Sequence, residues 1–213
     1  MEEVHMETNP YTWHVFTFFA EAGTRFILPG FRPQYRFDDV RTLETVALDN
    51  KLIERNAVII DVPKGPGDWI RPEDLEKAVS NAPVQQGNAM QDKPGDAFII
   101  RTGWGDDERY LKLGLEFREK SPHFTDTAVD KLLELLAVND CDMWLYDTCE
   151  MTTRGVDPVS GRPGSFGIRS GLTAVGGIVN AGAIKKPRVK LVVLPIPIRD
   201  AWMTPCRVIA MED

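Results

Sequence analysis

The run from Gly95 to Asp147 constrains this chain more than any other segment. Residues 95–104 (GDAFIIRTGW) read as a turn, an apolar strand and a polar exit. Residues 125–138 then set Ala128, Val129, Leu132, Leu133, Leu135 and Leu136 on one helical stripe, with Thr127 and Asp130 spaced for a capping box. Residues 143–147 (MWLYD) return at once as a strand. Strand, helix and strand in that order build a βαβ unit, and such a unit places a helix over a partly parallel sheet.

The flanking segments extend the same alternation. Residues 11–19 (YTWHVFTFF) are aromatic and β-branched, which suits a strand. Residues 57–62 (AVIIDV) are a buried-strand run ended by the turn residues KGPGDW, and residues 71–79 follow with Pro72, Glu73 and Asp74 where a helix N-terminus favours them. Residues 174–179, 188–198 and 206–211 are rich in Val, Ile and Leu and read as closing strands, with Pro195 and Pro197 placing the second of them partly along a sheet edge. Between Asp147 and these strands lies a polar stretch with five glycines and two prolines, long enough to be a functional loop. No repeat or linker divides the sequence. The expected architecture is an α/β mixed sheet with flanking helices, one domain over residues 1–213.

Composition narrows the function classes. A net charge of −7, with acids and bases interspersed, gives no basic stripe for phosphates, so nucleic acid is not an expected partner. No run reaches the roughly 18 apolar residues of a membrane span, and MEEVHMETNP has no secretion-signal pattern, so a cytoplasmic protein is expected. Cys141, Cys149 and Cys206 are too widely spaced for a CxxC site and are read as reduced thiols. His5, His14 and His123 are the only histidines, too few and too scattered for a histidine-rich metal centre.

Three stretches, in order, carry a resemblance. Residues 23–31 (GTRFILPGF) are similar to the signature HxGTHxDxPxH; residues 95–104 are close to GDAVLIRTGW; and Leu145-Tyr146-Asp147-Thr148 is similar to GIDT. Together they resemble the cyclase and kynurenine-formamidase family of metal-dependent hydrolases, over roughly Gly23 to the C-terminus. The resemblance implies that family's swivelling β/β/α fold, small-molecule substrates, and assembly as a homodimer or homotetramer. It also implies shortened N-terminal strands.

The departures from the signature decide the expected chemistry. Where the family has His, His, Asp and His as metal ligands, this chain has Glu21, Arg25, Ile27 and Phe31, and further family ligand positions fall on Gly167 and Val179. Arginine does not give up its proton to bind a metal, and Ile and Phe have no donor atoms. No metal site and no cofactor are therefore expected.

The remaining polar residues give the candidate site. Glu21 and Arg25 either pair in the space a metal would fill, or Arg25 anchors a substrate carboxylate beside Phe31. Asp147 and Glu150 sit at a strand exit, where Glu150 suits a general base and Asp147 either reacts or caps the turn. Cys149 as a nucleophile needs an imidazole, and His14 is the only available one; His14 otherwise reads as a hydrogen-bonded core or interface residue. Arg101 and Trp104 line a pocket or serve packing and pairing, His123 reads as a surface residue, and Arg169, with Arg154 and Arg162, supplies loop cations for an anion. These residues point to a metal-independent enzyme using carboxylate acid/base chemistry on a small anionic molecule; the alternative is a non-catalytic relative that binds a small molecule or a protein.

Overall fold

The computed structural model describes residues 2–4, 13–15, 23–28, 54–87, 95–149, 172–198, 201 and 203–212. Two short strands, β1 (Glu2–Val4) and β2 (Trp13–Val15), pair antiparallel. The central strands are β3 (Arg25–Ile27), β4 (Glu54–Asp61), β6 (Ala97–Arg101), β8 (Met143–Tyr146), β9 (Thr173–Gly176), β10 (Arg188–Pro195) and β11 (Met203–Met211). A minor parallel pair joins β5 (Trp69–Ile70) to β7 (His123–Phe124). Four helices intervene among the described residues: α1 (Pro72–Ser80), α2 (Arg109–Leu113), α3 (Glu116–Glu119) and α4 (Asp126–Val138).

The mixed sheet closes into a barrel in the order β10-β11-β3-β9-β8-β6-β4. Strands β4, β6, β8 and β9 run parallel, and the other contacts around the ring are antiparallel. The fold is thus mixed α/β, as the alternating pattern requires. Strand β10 lies between β4 and β11 as far as Val192 and beyond it pairs with β11 alone, so Pro195 sits where only one neighbour needs a donor.

Both faces of the parallel strands are buried, which explains their near-continuous apolar sequence. With a period of two, Phe26, Ile59, Ile99, Leu145 and Val175 fill the barrel interior, while Ile27, Ile60, Phe98, Ile100, Trp144 and Tyr146 face outward. The outward set packs on Leu75 of α1 and Ala128, Leu132 and Leu136 of α4, and the two helices pack on each other.

Local chemistry sets the helix ends. Helix α1 begins with Pro72 after Arg71, whose backbone N–H donates to Asp74 Oδ2 at 2.8 Å. Helix α4 is capped by Thr125, whose Oγ1 accepts the Ala128 N–H at 3.0 Å. The cap therefore falls two residues before the expected Thr127, because Thr125 already takes the extended backbone that an N-cap requires. His123 is not a surface residue but a half-buried strand residue, its ring 6.0 Å from that of Trp69.

Candidate functional site around Arg25

The site grows from the neighbourhood of β3. Arg25 and Ile27 share one face of that strand, and across the ladder Arg25 stands opposite Gly176, which stands opposite Tyr146. Gly176 has no side chain because there is no room for one: a Cβ there would lie 2.3 Å from the Tyr146 hydroxyl. The bare glycine leaves the room that the Tyr146 ring occupies over β9.

The Arg25 guanidinium is held by backbone carbonyls. One terminal nitrogen donates to the Cys149 carbonyl at 2.7 Å and the other to the Gly23 carbonyl at 3.3 Å. Thr24 Oγ1 donates to the Gly177 carbonyl at 2.8 Å, tying the start of β3 to the turn after β9. Among the described residues no carboxylate pairs with Arg25, so its charge is oriented without being neutralised there.

Cys149 links this arginine to the exit of β6. Its N–H donates to Ser121 Oγ at 3.0 Å, and its thiol points to the Phe117 carbonyl at 3.6 Å. The same carbonyl accepts the Trp104 indole N–H at 3.1 Å, and the two rings stack with centroids 5.5 Å apart. Arg109 lies over the Trp104 ring at 4.9 Å and donates to the Gly103 carbonyl at 3.1 Å. Trp104 is 1% exposed.

Asp147 organises that exit. Its carboxylate accepts the Thr102 N–H at 3.0 Å, the Thr102 hydroxyl at 2.7 Å and the Gly103 N–H at 2.8 Å. Gly103 reaches it with a φ of +83°, a conformation that glycine adopts freely. Burial pushes the Asp147 carboxyl above its ordinary range despite these donors. Both oxygens are committed to the Thr102–Gly103 turn.

Arg101 joins the frame from another side. It grips Asp61 through two bonds, at 2.6 and 2.9 Å, and donates to the carbonyls of Ala181 and Ile184 at 3.1 and 2.9 Å. The Asp61 hydrogen bond raises its already high pKa. Arg25, Cys149, Trp104 and Asp147 are thus brought into one hydrogen-bonded frame. His14 is placed in β2, its backbone opposite Glu3. Glu21, Phe31, Glu150 and Arg169 lie outside the described residues. Ser121, Phe117 and Arg109 complete the frame and carry no signal in the sequence, while Thr102 lies within the RTGW segment that the sequence already singles out.

A divalent metal does not fit the described part of this site. Arg25 is a cation that donates, and Ile27 is 4% exposed in an apolar cluster with Met203 and Ala174. Among the described residues no three His, Cys, Asp or Glu side chains gather to hold a metal ion.

Comparison with known proteins agrees with the fold. The family model described as Putative cyclase matches residues 5–149. No curated protein matches the sequence. Isatin hydrolase A from Labrenzia aggregata, bound to benzyl benzoate, is similar with a TM-score of 0.67 and 16% identity, over 98% of this chain and 81% of that one. Isatin hydrolase A from Ralstonia solanacearum gives 0.67 and 17%, over 99% and 81%. The predicted metal-dependent hydrolase from Bacillus stearothermophilus gives 0.62 and 15%, over 98% and 85%. Identities this low speak for the fold alone.

Proposed function

This chain belongs to the cyclase family, and we propose that within it the chain is a metal-independent enzyme acting on a small anionic molecule by hydrolysis, elimination or ring closure. The observation that carries the reading is Arg25: a fixed cation stands at a metal-ligand position of the family signature, held by the Cys149 and Gly23 carbonyls. A guanidinium there gives a planar fork for a carboxylate or a developing oxyanion, the electrostatic part of what a metal supplies. Glu21 and Glu150 are the acid/base pair in this reading. Asp147 holds the Thr102–Gly103 turn in place, Trp104 and Arg101 stiffen the same frame, and His14, Phe31, Cys149 and Arg169 complete the binding surface.

The chain functions in this proposal as one cytoplasmic domain that assembles as a homodimer or homotetramer. The burial of Ile27 and the commitment of both Asp147 oxygens favour a second reading, a non-catalytic relative that binds a small molecule or a protein.

Elemental analysis of protein supplied with zinc or manganese tests the first part, and well under one ion per chain is expected. One tightly held ion per chain overturns it. Turnover of a panel of small amides, lactones and imides bearing carboxylates tests the second part, with loss expected in Arg25→Ala, Glu21→Gln and Glu150→Gln. Full turnover in all three ends the proposed mechanism, and no turnover by the pure protein leaves the binding reading.

A further inference from the structure

Beyond the frame around Arg25, a cleft of about 500 Å³ opens at the end of β4. Strand β10 joins the β4 ladder only at Arg188, opposite Val58. Ile59 donates its N–H to the Pro187 carbonyl at 2.9 Å, but the next amide on that edge of β4, that of Asp61, meets no backbone carbonyl among the described residues. The gap lies between helix α1 and the connection from β9 to β10, and its volume falls within the roughly 300–1,000 Å³ of small-molecule sites. Val62, Ala78, Ala82 and Pro187 supply its apolar lining.

The charge of the lining is one-sided. Lys64, Lys77, Arg101, Lys185 and Lys186 stand against Asp61 and Asp74, in a chain whose net charge is −7. Both carboxylates are engaged, Asp61 by Arg101 through two bonds and Asp74 by Lys64 at 2.7 Å. Lys185 turns its ammonium to the Gly182 carbonyl at 2.8 Å. Glu212 accepts the backbone N–H groups of Lys185 and Lys186 and lies outside the lining. Lys77 shares one face of α1 with Asp74, Ala78 and Asn81, and Lys186 belongs to the opposite wall; neither forms an ion pair among the described residues. Surplus cations on two walls of a cleft raise the local concentration of anions.

The shape of the donors selects the anion. A planar carboxylate is best met by the fork of a guanidinium, and the guanidinium in this lining, Arg101, is committed to Asp61 and to the Ala181 and Ile184 carbonyls. Ammonium groups are compact point charges that can converge on a tetrahedral anion from several directions. We propose that the cleft is a second ligand site that takes a small organic phosphate, with the phosphoryl oxygens on Lys77 and Lys186 and the carbon body against Ala78, Ala82 and Pro187. Neither lysine belongs to the frame around Arg25, so binding here does not depend on the chemistry proposed there.

Calorimetric titration of the full chain with phenyl phosphate tests the proposal. Saturable binding of about one ligand per chain is expected, weakened about tenfold by Lys77→Ala and likewise by Lys186→Ala. Benzoate, a planar monoanion with the same ring, is expected to bind about tenfold more weakly than phenyl phosphate. Both lysines are exposed, and circular dichroism confirms that each variant is folded. Lys190→Ala, at the far end of β4 where Lys190 pairs with Glu54, is expected to leave the affinity unchanged, as is Arg25→Ala. The absence of saturable binding overturns the proposal, as does an affinity that neither Lys77→Ala nor Lys186→Ala lowers, or one that benzoate matches. Loss in Arg25→Ala alone locates the ligand in the first site and also overturns it, without touching the mechanism proposed there.

Discussion

At the residue scale, Asp147 shows how one buried carboxylate sets the shape of a loop 45 positions away. Its acceptors face only donors, so Asp147→Asn turns an amide N–H₂ against the Thr102 and Gly103 N–H groups. A loss of about 1–3 kcal/mol is expected, the cost of a buried unsatisfied polar group, read by urea unfolding. The direction of its pKa also predicts a pH dependence. Burial raises the folded value above the unfolded one, so the unfolded chain releases its proton first as pH rises. The contribution of Asp147 to stability is full below the ordinary carboxylate range and falls as pH climbs through the folded value. The stability gap between wild type and Asp147→Asn therefore narrows with rising pH; a gap that widens contradicts the burial argument. Arg25 could be read from sequence as a displaced metal ligand, but its anchoring on Cys149 could not, because 124 residues separate the two and no local pattern links them.

At the element scale, periodic segments were legible and short ones were not. Helices α1 and α4 and strands β4, β6, β8, β10 and β11 follow from apolar spacing, since each buries a regular face. The two-residue strands β5 and β7 and the short helices α2 and α3 have too few residues to show a period. The capping position was misjudged by two residues because Thr125 and Thr127 are both plausible caps by type, and only backbone conformation separates them. Thr125→Ala is expected to cost about 1 kcal/mol, whereas Thr127→Ala should cost less; thermal melts of the two variants decide the point. Glycine fit gives another test. A Cβ on Gly105 would lie 2.4 Å from the Ile178 carbonyl, a backbone atom with little freedom to retreat. Gly105→Ala is expected to lower stability by about 1–3 kcal/mol through overpacking, measured by the same unfolding curve.

At the scale of the whole molecule, barrel closure organises everything described. It gives the parallel strands two buried faces, puts Arg25 on the outside of β3, and leaves β10 single-sided near Pro195. Leu145 is fully buried in the interior, and Leu145→Ala is expected to cost about 2–5 kcal/mol. The alternation of strands and helices foretold a mixed sheet; its closure was not legible, because β3 meets partners from the far end of the sequence. That placement has a kinetic consequence. Arg25–Ile27 must settle between Thr173–Gly176 and Met203–Met211, so the ring stays unsealed until residues as far as Met211 have left the ribosome. Until then β3 and β10 present bare backbone to other nascent chains, a window in which a chaperone or a slow translation rate governs the yield of folded protein.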